Sequence, residues 1–510
     1  MLARLYSVTL EGINGVVCEV EVDVARGGFE KTEVVGLPDA AVKESSERVK
    51  SAIVNSGFAY PKTQSLVNLA PADIKKEGPA FDLPIAIGMI AGTGALKSDG
   101  LHGRVIVGEL ALDGRVRPVN GALSMAMAAR DMGYAGFICP SENASEAAVV
   151  QGIDVYGVNS LAQAIGFLSG QLPLDVSAVD LDHEFSIESQ YSVDFSDVRG
   201  QAAAKRALTI AAAGSHNILM TGVPGAGKTM LAQRLATILP PLSLTESLET
   251  TRIYSSMGML EPGKSLMARR PVRSPHHTAS GAALVGGGSN ARPGDLSLAH
   301  NGILFLDEFA EFPRHVLEMI RQPLEDGTVT ISRAKRTMTY PARFILVASL
   351  NPCPCGYYGS RTKRCRCTPS QVERYLSKVS GPLMDRIDIH IEVPAMTFDT
   401  LYSNREKTES SAQISQCVLS ARKIQTERFG SDGVENNGTM SHRQVERHCD
   451  LASSSRMMLK NAMVEFGLSA RAHDKICKVA RTIADLEPSD SIKTDHIAEA
   501  ISYRRLDRKL

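Results

Sequence analysis

The 510-residue sequence carries no net charge, because 56 lysines and arginines balance 56 aspartates and glutamates. That balance excludes a uniformly basic nucleic-acid coat, though not a local basic stripe, since a sum hides asymmetry. Basic runs do occur at residues 333–336, 361–366 and 504–509, and a solvated face is the plain reading of each. A long apolar run is also lacking. The longest, residues 83–96, is broken by Gly88, Gly92 and Gly94 and falls short of the ~20 residues a membrane helix needs. The first eight residues show no charged stretch leading into an apolar one, so no secretory signal is expected. No internal repeat or low-complexity tract is visible. A cytoplasmic protein with no membrane partner is the simplest expectation. Its nine cysteines then read as thiols or metal ligands rather than disulfides.

What is present is an ordinary globular balance, 43% hydrophobic and 22% charged, with length for about three domains. Residues 1–170 alternate β-rich runs, such as 16–22 and 105–110, with helical patterns. Over 39–54, Lys43, Glu44 and Glu47 oppose Val42, Val49 and Ile53, as on an amphipathic helix. This is an α/β domain. Residues 171–196 turn acidic and irregular and read as a linker. Residues 197–395 carry strand-like runs at 218–221, 302–306 and 344–350 between helical stretches, the rhythm of a parallel sheet. Residues 396–510 read as a helical domain, with candidate helices at 410–429, 453–466, 471–486 and 494–504.

The chemistry concentrates in the third of these segments. Gly222, Val223, Pro224, Gly225, Ala226, Gly227, Lys228 and Thr229 match the phosphate-loop pattern G-x-x-x-x-G-K-[ST] between an apolar strand and a helix. Glycines there let backbone amides turn inward around phosphate oxygens, and the helix N-terminus adds partial positive charge. Lys228 is expected on the β- and γ-phosphates of ATP and Thr229 on Mg²⁺. The run 303–306 is an apolar strand that ends in Asp307 and Glu308. Two adjacent acids on a buried strand are costly without a cation. Asp307 fits the Mg²⁺ ligand and Glu308 the base that polarises the attacking water. Asn351 ends another buried strand, where an amide can hydrogen-bond the γ-phosphate or the water. An asparagine before Pro352 is also a good turn starter.

Further candidates are less specific. Residues 381–388 resemble the segment that carries the arginine finger of ring ATPases, with Arg386 in that role; an ion pair to Asp385 or Asp388 is the plain alternative. Arg471, at a helix start, fits a second phosphate sensor or an exposed helix arginine. Two inserts could grip DNA: residues 280–293, with Arg292 among glycines, and 330–338, a hairpin with Arg333, Lys335 and Arg336 near its tip. Such cations would neutralise phosphates without reading sequence; a solvated hairpin or a subunit contact is the alternative. Cys353, Cys355, Cys365 and Cys367 form C-x-C-x9-C-x-C, compatible with a Zn²⁺ site, reduced thiols or a redox role. Cys18, Cys139, Cys417, Cys449 and Cys477 stand alone and are expected as small buried residues.

In this order the motifs resemble the magnesium-chelatase-like branch of the AAA+ proteins, and within it the bacterial competence M (ComM/YifB) family. The strings 68–73 (NLAPAD), 76–84 (KEGPAFDLP), 274–278 (SPHHT) and 351–356 (NPCPCG) carry that resemblance over essentially the whole chain. It implies a hexameric ring driven by ATP that moves on single-stranded or branched DNA during recombination. The N-terminal domain looks like the Lon protease (ribosomal S5 domain 2-like) fold, and 107–116 resembles one of its strand pairs. Where Lon carries a serine and a lysine, this chain has Ala80 and Leu123, which can neither attack a carbonyl nor accept a proton. The expected function is therefore a DNA translocase. A chelatase-type ATPase that drives metal insertion or remodels a protein partner is the alternative, and an ATP-dependent protease is disfavoured by Ala80.

Overall fold

A computed structural model describes residues 1–510 except 26, 28, 182–183, 186–190, 262, 289–290, 334–335, 361–362, 396–408, 431–433 and 505–510. Parts of the acidic 171–196 stretch, of the 361–366 basic run and of the C-terminal tail thus lie outside the described residues. The chain divides into two compact units, Met1–Ser189 with Ser243–Ala268, and Gln190–Leu242 with Arg269–Leu510.

The first unit is built on a seven-stranded mixed sheet. Leu2–Glu11 and Asn14–Val24 pair antiparallel across a turn at Gly12, whose φ of 65° suits glycine. Asn14–Val24 continues to Gln64–Ala70 and Lys31–Val35, while Leu2–Glu11 continues to Arg104–Ile106, Gly136–Pro140 and Asp154–Val158. The apolar 83–96 run supplies a core helix, Asp82–Gly92, buried at every position. Gly88 and Gly92 let it lie on the sheet, because a Cβ at either would stand 2.5 Å from Val22 or Val24. The helix expected over 39–54 is Ala40–Asn55, started by Asp39, which accepts from the Val42 amide at 2.8 Å.

The strand expected over 105–110 is broken. Arg104–Ile106 stays in the sheet, and Glu109–Leu110 pairs with Val116–Arg117. Between them Gly108 donates to Ala80 O at 2.9 Å and accepts from Leu83 N at 3.0 Å, so its hydrogen bonds go to the start of the buried helix instead of the ladder. Ser243–Ala268 adds the helix Leu244–Ser256, capped reciprocally by Ser243 and Glu246. Its Arg252 donates to Asn14 Oδ1 at 2.6 Å.

The second unit holds a five-stranded, all-parallel sheet in the order Val272–Arg273, Gly302–Leu306, Phe344–Leu350, Ile218–Thr221, Ile389–Glu392. The strand before the phosphate loop and the strand before the twin acids are therefore separated by Phe344–Leu350, which leads into Asn351. The C-terminal helices Ser411–Phe429, Ser453–Phe466, Ala470–Leu486 and Thr494–Ser502 share one core with this sheet, in which Ile476 and Ile483 join Ile218 and Ile389. The last helix ends at Ser502, short of the expected 504. Arg504 is buried, with its guanidinium donating to Ile387 O, rather than opening a solvated tail. No helix among the described residues is long and apolar enough to cross a membrane.

Candidate functional site

Parallel strands put their carboxyl ends along one edge, where α/β proteins place ligands. Here Thr221 pairs with Leu350 and Leu306 with Ala348, so the phosphate loop, Asp307–Glu308 and Asn351 all leave the sheet on that edge. The loop is held by its neighbours. The Gly222 amide donates to Leu350 O at 3.1 Å, and a Cβ at Gly222 would meet Val393 O at 2.4 Å. Gly225 and Gly227 turn the chain at φ of 79° and 90° into the helix Lys228–Leu235.

Lys228 is 7% exposed. Its ammonium donates to Gly222 O at 2.6 Å, Val223 O at 3.2 Å and Asn351 Oδ1 at 3.0 Å. Burial pushes its pKa down, against the opposing pull of Asp307 and Glu308. Thr229 Oγ1 donates to Asp307 Oδ2 at 2.9 Å, and the other carboxylate oxygen accepts from Ser349 Oγ and, at 3.0 Å, from the Glu308 amide. A hydroxyl beside a carboxylate is the hard-oxygen set that suits Mg²⁺, and a buried ammonium facing carbonyls suits an incoming phosphate. The donors present therefore fit a magnesium-bound triphosphate.

Glu308 has a φ of 52°, left-handed backbone that costs a non-glycine residue about 1–3 kcal/mol. Its carboxylate lies 3.2 Å from His277 Nδ1. His277 in turn packs against His276, with ring centroids 4.1 Å apart and the planes tilted by 33°, and is set edge-on against Phe312. Nothing local in the sequence links His277 to Glu308 or Ser349 to Asp307. His277 stands in the SPHHT string, which says nothing of a partner 31 positions on.

Arg386 pairs with Glu325 and donates to Pro382 O at 2.6 Å, so within the chain its ion pair is with neither Asp385 nor Asp388. Asp388 instead binds Lys475 and the Asn217 amide. Arg471 is exposed in the first turn of Ala470–Leu486.

The two inserts come together. Thr328–Arg333 and Arg336–Pro341 form an antiparallel hairpin, and Gly286–Gly287 pairs with Arg292–Pro293 in a smaller one. Tyr340 Oη donates to Ala291 O at 2.9 Å, and Arg333 reaches over Gly287, where a Cβ would stand 2.8 Å from Nη2. Arg292 and Arg333 are exposed. Lys335 and the side chain of Arg336 lie outside the described residues.

The four clustered cysteines have their sulfurs within 4.8 Å of one another. Amides of Arg366 and Tyr357 donate to Cys355 and draw its thiol down to about 6. Of the isolated cysteines, Cys18, Cys139, Cys449 and Cys477 are buried as expected, whereas Cys417 is exposed on Ser411–Phe429.

A family model described as magnesium chelatase, subunit ChlI, matches residues 194–401, and two companion ChlI models match 20–143 and 408–504. The chain is 43% identical to competence protein ComM of Haemophilus influenzae, over 100% of this chain and 98% of that protein. It is 42% identical to YifB of Escherichia coli, over 98% and 96% of the two chains. A magnesium-chelatase 38 kDa subunit of Cereibacter sphaeroides is 28% identical over 31% of this chain and 52% of its own length.

Proposed function

This chain belongs to the magnesium-chelatase ChlI family of AAA+ ATPases, in its ComM/YifB branch, and from that premise we propose that it is a ring-forming, magnesium-dependent ATPase that moves DNA in recombination. The observation that carries the reading is the meeting of Lys228 with Asn351 and of Thr229 with Asp307 on one sheet edge. Amides of Gly225, Gly227, Lys228 and Thr229 cradle the phosphates, and Lys228 directs its ammonium to the β- and γ-oxygens. Thr229 and Asp307 hold Mg²⁺, which supplies charge neutralisation at the phosphates. Glu308 orients water and accepts its proton, while Asn351 hydrogen-bonds that water or the γ-phosphate. Arg386 serves the site of a neighbouring subunit in a hexamer, and Arg471 reports nucleotide state to the C-terminal helices.

DNA is the proposed substrate because the two packed hairpins expose Arg292 and Arg333 on the same unit as the nucleotide site. The first unit is proposed as a Lon-like scaffold without protease activity: Ala80 and Leu123 sit buried in one apolar cluster. A cytoplasmic setting follows from a DNA substrate. The chelatase-type alternative draws on the 28% identity to the 38 kDa subunit, which spans only 31% of this chain, whereas likeness to ComM spans all of it. Phosphate release measured with and without a four-way DNA junction, alongside gel resolution of the junction into arms, separates the readings. Stimulated release with ATP-dependent conversion supports the motor; ATPase indifferent to DNA, with an intact junction, refutes it.

A further inference from the structure

The turn that follows Asn351 carries a second constellation, built from chemistry that triphosphate binding does not use. Cys353 is fully buried two residues after Asn351. Its sulfur lies 3.3 Å from Cys355 Sγ and 3.7 Å from Cys365 Sγ, and those two are 3.5 Å apart. Cys367 completes the set within 4.8 Å, and its amide donates to Cys365 Sγ at 3.4 Å. Four sulfurs around one Zn²⁺ at the usual 2.3 Å bond length stand about 3.8 Å from one another, close to the separations found here. Sulfur-only donors suit zinc and disfavour magnesium or calcium. Between the two C-x-C pairs, Lys363 Nζ stands 5.0 Å over the Tyr357 ring.

This loop also presses on the nucleotide site. Gly356 has a φ of 82° and donates to Cys353 O at 2.9 Å, closing a turn. A Cβ on it would stand 2.6 Å from the ring of Pro224, inside the phosphate loop. On the upstream side, Asn351 accepts from Lys228. The cysteine turn thus touches the phosphate loop at Pro224 and is covalently continuous with the amide that meets its lysine.

We propose that Cys353, Cys355, Cys365 and Cys367 bind one Zn²⁺ as thiolates, and that this ion clamps the turn after Asn351 against Pro224 so that its occupancy sets nucleotide affinity. On binding, each cysteine still protonated gives its proton to solvent and no redox change occurs. The second half of the proposal rests on the nucleotide site described above; the first half does not. The structure assigns the ion a structural role, since all four positions of a tetrahedral site are filled by protein.

The test uses the purified full-length chain. Elemental analysis is expected to give one zinc per chain, with all four thiols shielded from alkylation while Cys417 reacts. Stripping with a chelator is expected to free the four thiols and to weaken binding of a fluorescent ATP analogue about tenfold, an ordinary size for coupling between two sites, with recovery on adding Zn²⁺. The variant C365S/C367S is expected to lose the metal, and stripped wild type gives the same readout if that variant does not fold. Absence of zinc with all four thiols reactive, or disulfides among them, overturns the site. Unchanged analogue affinity after stripping overturns the clamp. Zinc-loaded protein that binds no analogue at all overturns the clamp together with the nucleotide assignment, while its zinc content still supports the metal site.

Discussion

In the proposed mechanism Glu308 and Lys228 serve different stages, and single substitutions separate them. Glu308→Gln keeps the size of the side chain and one acceptor oxygen but loses the base. It is expected to bind ATP while phosphate release falls about 10²–10⁴-fold. Lys228→Ala removes a charge-assisted contact worth about 1.5–3 kcal/mol, so binding itself is expected to weaken roughly 10–100-fold. Native hydrolysis by both variants contradicts the site. His277, 3.2 Å from the Glu308 carboxylate, is placed to orient a side chain whose own backbone is left-handed. His277→Ala is expected to lower kcat about tenfold with KM unchanged, and His277→Gln, which keeps a donor, to recover part of the loss. Equal loss in both variants, or a loss in KM alone, contradicts positioning. The phosphate loop was legible from sequence because its chemistry is local: glycine amides and one lysine within eight residues. The His277–Glu308 pair and Ser349 on Asp307 were not, because tertiary packing alone brings them together.

Elements were legible where periodicity or capping chemistry dominates. Asp39 marks the start of Ala40–Asn55, and the four helices expected after residue 400 lie within two residues of expectation at each end, whereas the short helix His442–His448 between them was not expected. Reading failed where a tertiary hydrogen bond outcompetes local preference, as at Gly108, which turns from its strand toward Ala80 and Leu83, and at Arg504, drawn inward to Ile387 O. Two buried carboxylates give these elements opposite pH signatures. Burial alone would raise the Asp388 carboxyl, but Lys475 and His216 beside it hold it well below the ordinary carboxylate range. Its contribution is complete above the unfolded value of about 4 and is lost as pH falls below that. Asp82 is pushed up to about 6 by burial, an effect only partly offset by Arg48. The folded chain then holds the proton more tightly than the unfolded one, so this contribution is lost as pH rises from about 4 to about 6. Urea unfolding as a function of pH is expected to lose its acid-side slope in Asp388→Asn and its slope between about 4 and 6 in Asp82→Asn. Unchanged slopes in both variants contradict the assignment.

At the scale of the whole molecule, zero net charge means that any DNA grip must be local, and the exposed Arg292 and Arg333 on adjoining hairpins are where it is proposed. Replacing both with alanine is expected to weaken binding to all DNA sequences alike and to reduce the salt slope of binding by about two, one per phosphate contact. A variant that binds forked DNA with the native salt slope contradicts that surface. All of this depends on nucleotide entering the edge formed by the phosphate loop, Asp307 and Asn351. The most direct check is calorimetric titration of a non-hydrolysable ATP analogue with Mg²⁺ into the wild type and Lys228→Ala. One saturable site per chain in the wild type, at least about tenfold weaker in the variant, is the predicted result. No heat of binding in the wild type, or equal affinity in the two proteins, would contradict it.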